Sequence, residues 1–144
     1  MSLSIPSGFE PHDRTSPLTD PWEPVYAKAD EDRLILGLPI CESHTNSRGF
    51  AHGGLIAALA DNAMGLSCAR RFSPPVGLLT VNLAIDYYGI AKIGQWLAFE
   101  PRHIRTGRTL CFADLLVTAD EEPCARANAT FATVARKVSD GSAR

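Results

Sequence analysis

Much that would place this chain at a glance is missing from it. Its four cysteines (Cys41, Cys68, Cys111 and Cys124) are widely spaced and form no C-x-x-C pair, which argues against a disulfide framework or a zinc site. Three of them lie in apolar segments, where cysteine behaves as a small hydrophobe. Excess basic charge is absent too. A net charge of -2 gives no general pull towards nucleic acid or an anionic membrane, so any anionic ligand must be met by local arginines. There is no Walker loop and no Rossmann fingerprint. Gly65-Leu66-Ser67-Cys68-Ala69 lacks the closing glycine of a nucleophile elbow. The first residues have neither the basic start nor the apolar core of a secretory signal, and no apolar run is long and clean enough to span a bilayer. Asn128-Ala129-Thr130 is therefore a glycosylation sequon in form only. The expected compartment is a reducing cytoplasm.

What is present is enough for one domain with a proper core: 144 residues, 45% hydrophobic and 21% charged, the balance of a globular protein. Residues 1–32 are rich in proline, serine and charge, and read as an extended N-terminal arm. Phe9, Trp22 and Tyr26 would let it lie against the domain surface. Residues 33–138 form the domain, and 139–144 a frayed tail. Arg33 to Leu38 reads as a first strand. After a helix, Val76 to Tyr88 alternates, with Leu79, Val81, Leu83, Ile85 and Tyr87 on one face and Thr80, Asn82, Ala84 and Asp86 on the other. Gln95 to Arg105 is a strand of weaker alternation, turned at Thr106-Gly107 into Arg108 to Val117. Asp120 to Pro123 turns again into a last strand, Cys124 to Lys137. There Ala125, Ala127, Ala129 and Phe131 share one face, small enough for a helix to approach closely. One strand, one helix and about four antiparallel strands make an α+β fold, an antiparallel sheet wrapped around one long central helix.

That helix organises the chain. After Gly49-Phe50-Ala51-His52-Gly53-Gly54, apolar residues recur at helical offsets (Leu55, Leu59, Ala63 and Leu66; Ile56, Ala60 and Met64) until Arg71-Phe72-Ser73-Pro74-Pro75 ends it. With almost no polar face it reads as a helix buried all round. Asp61 sits in the middle, and a buried carboxylate needs a partner, a solvated pocket or a chemical task. It could accept structural hydrogen bonds, or act as general base or nucleophile. The Gly53-Gly54 start presents unpaired N–H groups and the positive end of the helix dipole, fit to bind an anion or polarise a carbonyl. On Gly-Gly alone, a plain glycine-rich helix start is the simpler reading. His52 could donate to a ligand or brace the loop, and Asn46 could orient a carbonyl or simply make a turn.

Spacing constrains any catalytic reading. Gly53 and Asp61 are eight residues apart, a rise of about 12 Å on a helix. A reacting carbonyl must lie within about 3 Å of its polarising donors and within attack distance of the base or its water. One chain's Gly53 and Asp61 therefore do not serve the same carbonyl. Two chains with antiparallel helices would set Gly53 of one opposite Asp61 of the other, so a catalytic site here is a shared site.

The ordered set Asn46-x-x-Gly49-x-x-His52-Gly53-Gly54-(x)6-Asp61 resembles the signature of hotdog-fold acyl-CoA thioesterases, most of all the phenylacetate-pathway type and the human thioesterase-superfamily members near it. The likeness continues through Leu79-Thr80-Val81-Asn82-Leu83-x-Ile85-x-Tyr87, the Arg105-x-Gly107-Arg108 turn and Ala129-Thr130-Phe131. It covers roughly residues 33–136 and leaves the arm unmatched. The resemblance implies that the Gly53 N–H, with Asn46, polarises the thioester carbonyl, and that Gly54 belongs to the substrate site. It implies that the partner chain's Asp61 activates a water or attacks directly, that Thr80 orients the water, and that His52 holds the loop. It also implies a homodimer with shared active sites or a tetramer, and no metal or redox cofactor. Arg105 and Arg108 around Gly107, or Arg70 and Arg71 at the helix end, would meet the coenzyme A phosphates. Hydrolysis of an acyl-CoA is the first reading and a non-catalytic acyl-CoA sensor the second. A hydratase of the same fold would need a different Asp/His arrangement. The carboxylate at 61 with the hydroxyl at 80 favours hydrolysis, because a binding pocket gains little from a buried acid.

Overall fold

The computed structural model describes residues 4–30 and 32–134. The end of the last strand beyond Val134 and the tail at 139–144 lie outside the described residues. One helix, α1 (Gly53–Ala69), lies against an antiparallel sheet of seven strands: β1 (Glu10–Pro11), β2 (Tyr26–Asp30), β3 (Arg33–Pro39), β4 (Gly77–Tyr87), β5 (Trp96–Thr106), β6 (Leu110–Ala119) and β7 (Glu122–Val134). Their spatial order is β1-β2-β3-β5-β6-β7-β4. This is the α+β hotdog arrangement, with β4, an eleven-residue strand, at one edge.

The helix sets Leu55, Ile56, Leu59, Ala60, Ala63, Met64, Ser67 and Cys68 into the sheet. Across from it the small face of β7 does close: Ala125, Ala127, Ala129 and Phe131 are all buried. Ser67 locks the two layers. Its hydroxyl accepts from the Leu34 N–H at 2.9 Å and donates to the Leu34 carbonyl at 3.3 Å, so both backbone groups of a buried strand residue are satisfied from the helix.

Three expectations need correction. The helix is not buried all round: Gly54, Ala57, Ala58, Asp61, Asn62, Gly65, Leu66 and Ala69 form a stripe on its other side that is only partly covered. Apart from Asp61 and Asn62 the residues of this stripe are small or apolar. Second, part of the arm is sheet. Tyr26–Asp30 (β2) pairs with β3 in register Tyr26↔Gly37 to Asp30↔Arg33, and Glu10–Pro11 pairs with β2. Trp96 clamps this edge, with Phe9 edge-on at 5.0 Å and Tyr26 at 5.8 Å between ring centres; at Gly37 a Cβ would collide with the indole.

Third, the alternation along β4 breaks. Thr80 pairs with Phe131 but Asn82 pairs with Thr130, so Val81 is an extra, bulged residue. A bulge shifts the side-chain parity of everything beyond it. Thr80 therefore shares the helix-facing side with Leu83, Ile85 and Tyr87, opposite Phe131, Ala129, Ala127 and Ala125. Leu79 and Val81 are turned outwards, each 60% exposed. A similar register break between Pro101 and Ile104 accounts for the weak alternation of β5.

Candidate active site

The loop leading into α1 is held before the helix begins. His44, 3% exposed, accepts from the Cys41 N–H at 3.0 Å through Nδ1, and its Nε2 lies 2.9 Å from the Trp22 carbonyl. With Nδ1 accepting, Nε2 carries the proton and donates. The His44 carbonyl in turn accepts from the His52 N–H at 2.9 Å. Gly49 takes φ of +78°, a conformation that favours glycine. Asn46 closes this turn: its Oδ1 accepts from the N–H groups of Arg48 (2.9 Å) and Phe50 (3.2 Å). That fixes the amide orientation and leaves the Nδ2 end as the group Asn46 can offer a ligand.

His52 is the N-cap. Its Nδ1 accepts from the Gly54 N–H at 2.8 Å, which satisfies one of the orphan donors of the first turn. Gly54 therefore has no free N–H for a ligand, whereas the Gly53 N–H makes no hydrogen bond among the described residues. From the other side Tyr87 Oη donates to the Gly53 carbonyl at 2.6 Å. Desolvation raises the Tyr87 phenol above its ordinary pKa, so it stays a donor at neutral pH. Sequence reasoning missed the roles of Tyr87 and His44. Tyr87 could have been read from its place at the end of a helix-facing strand, as a ring with a polar handle; nothing in the sequence marked His44.

Eight residues along the helix, Thr80 Oγ1 donates to Asp61 Oδ1 at 2.7 Å. The bulge at Val81 makes this contact possible. Asp61 is only half-buried in the single chain, which corrects the expectation of a carboxylate enclosed in the core. Both residues open into a cleft of about 320 Å³ bounded by the second half of α1, the start of β4, Phe131 and arm residues His12 to Thr19.

The structure thus brings together Asn46, His52, Gly53 and Gly54 at one end of α1, and Asp61 with Thr80 at its middle. It does not bring the arginines to Gly53. Arg70 and Arg71 end the helix, and Arg71 Nη1 donates to the Ile104 carbonyl at 3.0 Å. The β5–β6 hairpin lies at this same end: the Gly107 N–H donates to the Leu110 carbonyl and Thr133 Oγ1 to the Arg108 carbonyl, both at 2.8 Å. Arg105 and Arg108 therefore stand at the far end of the helix from their own chain's Gly53. Among the described residues no cluster of three or more His, Cys, Asp or Glu could hold a metal.

A family model for the thioesterase superfamily matches residues 48–125, from the loop before α1 into the start of β7. The chain belongs to the thioesterase superfamily. Membership makes the chain a thioester hydrolase. The superfamily member described as a putative esterase of Pseudomonas aeruginosa is 37% identical over 130 residues, 90% of this chain and 97% of that one. Acyl-coenzyme A thioesterase 13 of mouse is 37% identical over 96 residues, 65% of this chain and 66% of that one. Among solved structures, the Streptococcus mutans protein bound to acetyl CoA is 28% identical with a TM-score of 0.66, covering 72% of this chain and 82% of that one. The thioesterase family model begins at residue 48 and so leaves the arm of this thioesterase unmatched.

Proposed function

We propose that this thioesterase hydrolyses an acyl-CoA to the free acid and coenzyme A, as a two-fold dimer in which each site is shared between chains. The observation that carries the reading is the 2.7 Å Thr80–Asp61 hydrogen bond opening on a cleft. A carboxylate held by one hydroxyl keeps its other lone pairs for a water. The relatives' names and the acetyl CoA bound to the Streptococcus mutans protein supply the substrate class.

Two surfaces support the dimer. The β4 edge is a long unpaired strand, and such an edge is a ready template for a second chain. Leu79, Val81, Tyr87 and Tyr88 are 49–60% exposed along and beside it. Pairing β4 with its twin about a two-fold axis runs the two α1 helices antiparallel, with their partly covered stripes facing. The free Gly53 N–H of one chain then approaches Asp61 of the other. The same operation carries the partner chain's helix end and β5–β6 hairpin, with four arginines, towards this chain's Gly53, where coenzyme A phosphates need cations.

In the reaction Asp61 takes a proton from water as its oxygen bonds to the thioester carbon. The carbonyl oxygen becomes an oxyanion at the partner chain's Gly53 N–H, with Asn46 Nδ2 beside it. The tetrahedral centre collapses by breaking the C–S bond, and the proton that Asp61 took from water passes to the leaving coenzyme A thiolate, which restores the carboxylate. Four free cysteines fit a reducing cytoplasm, where acyl-CoA is met. The test is thiol release from a panel of acyl-CoA substrates by wild type and Asp61→Asn. The reading expects release from at least one substrate and a loss of about 10²–10⁴-fold in Asp61→Asn. An undiminished variant removes the mechanism, and tight acyl-CoA binding without turnover by wild type favours a sensor.

A further inference from the structure

We propose that the arm segment His12–Ser16 walls the channel carrying the pantetheine chain of coenzyme A from Asp61 to the arginines at the end of α1, and that its main chain hydrogen-bonds the pantetheine amides. The inference rests on the acyl-CoA reading above and deepens it by naming what the arm adds to recognition of the coenzyme.

The cleft has a direction. Asp61 and Thr80 stand at one end, Gly65 and Ala69 follow along α1, and Arg70, Arg71 and the β5–β6 hairpin lie beyond. In the shared site the partner chain's Gly53 meets the thioester carbonyl beside Asp61, and the arginines meet the phosphates. What runs between those two points is the thiol side of the substrate. The lengths agree. Arg70, the C-cap, is nine residues on from Asp61, a rise of about 13–14 Å. Pantetheine sets about twelve chain atoms between its sulfur and the first phosphorus, the backbone of about four extended residues or about 14 Å. Gly65 and Ala69 keep the floor low, and a Cβ at Gly65 would already press on the Phe131 ring at 3.3 Å.

The opposite wall is supplied by the arm, which lies outside the stretch that the family model matches. His12 to Ser16 continues from β1 with no helix, turn or bend, and it is anchored at both ends. The His12 N–H donates to the Val25 carbonyl at 2.8 Å, and the Ser16 carbonyl accepts from the Thr19 and Asp20 N–H groups at 3.0 and 2.9 Å. Thr19 itself is 5% exposed. Between these anchors the main-chain N–H and carbonyl groups of Asp13, Arg14 and Thr15 make no hydrogen bond among the described residues. A straight run of open donors and acceptors pairs with another amide chain as a sheet edge does. Pantetheine is such a chain: each of its two amides offers one N–H and one carbonyl.

Three thioesters of the acyl group that wild type hydrolyses fastest share the reacting carbonyl and differ in the thiol. One carries coenzyme A, one carries pantetheine without the phosphates, and one carries ethanethiol without the amides as well. The measurement is kcat/KM on each for wild type, for Thr15→Pro, which removes a main-chain donor, and for Thr15→Trp, which narrows the channel. Wild type should favour the pantetheine ester over the ethyl ester by about tenfold or more, because binding of remote groups is realised at the reacting centre. Thr15→Pro should slow the coenzyme A and pantetheine esters by a similar factor, about three- to tenfold. Thr15→Trp should slow the same two at least as much, and both variants should leave the ethyl ester within about twofold. A loss confined to the coenzyme A ester would put the arm at the phosphates, and an equal loss on all three would make it a prop of the fold or the dimer. Either result overturns the proposal, as does no loss at all. In those cases the hydrolase reading still stands if Asp61→Asn loses turnover of the coenzyme A ester. No thiol from any acyl-CoA, or an undiminished Asp61→Asn, removes that reading and this one with it.

Discussion

Replacing Thr80 by valine separates orientation of the acid from the acid itself. Valine keeps the β-branched shape that strand β4 accepts and removes one thing, the hydroxyl that donates to Asp61 Oδ1 at 2.7 Å. Thr80 is exposed in the single chain, so the folded state loses little, less than about 1 kcal/mol by the usual worth of solvent-accessible polar contacts. The transition state loses more. A hydrogen bond to a charged group is worth about 1.5–3 kcal/mol, and in the shared site proposed above that energy would hold the carboxylate and its water in line. At 1.36 kcal/mol per decade, kcat should fall by about 10–150-fold. KM should change by less than about threefold, because the hydroxyl faces the acid rather than the coenzyme. The assay is continuous colorimetric thiol release on the best substrate, with the melting temperature of the variant measured alongside. A kcat within about twofold of wild type, in a variant that melts normally, would refute the idea that the 2.7 Å contact positions the acid for reaction.

Two other perturbations follow from the fold. Tyr87→Phe removes the 2.6 Å hydrogen bond to the Gly53 carbonyl and should cost up to about 1 kcal/mol in urea unfolding, with a several-fold loss of kcat as the helix start loosens. Because the folded-state phenol pKa is raised, the native state holds its proton more tightly than the unfolded chain. That contribution is complete below the unfolded value near 10 and is lost as pH climbs through the folded one, so wild type should lose stability there more steeply than Tyr87→Phe. Ser67→Ala strips partners from both backbone groups of Leu34 in a site with 0% exposure. Chemical denaturation should show a loss of about 2–4 kcal/mol, and an unchanged midpoint would mean that the helix is not anchored there.

Where the sequence could be read and where it could not has a common cause. The central helix, β5 to β7 and the small face of β7 were legible because hydrophobic period and turn residues act locally. The strand within the arm was not: five residues between a proline-rich stretch and a turn carry too little pattern, and their partner is β3. The bulge at Val81 was invisible for the same reason. Nothing in Leu79-Thr80-Val81-Asn82 announces an extra residue; it appears only in the pairing with β7, yet it is what turns Thr80 towards Asp61. His44 and Ser67 bond to backbone groups far along the chain, and no local spacing encodes that. The stripe of α1 left partly covered reads as core in sequence because its small and apolar residues have the composition of an interior, the composition the proposed dimer contact would also have.

The shared site is tested most directly by mixing two inactive enzymes. Asp61→Asn and Asn46→Ala homodimers each damage both of their sites, one at the acid and the other at the carbonyl-binding end. If every site draws the two ends from different chains, a heterodimer holds one intact site and one doubly altered one. After co-refolding at equal concentrations half the dimers are mixed, and thiol release should recover to about a quarter of the wild-type rate. Activity that stays at the level of the two parents would mean that each chain works alone, contradicting the account.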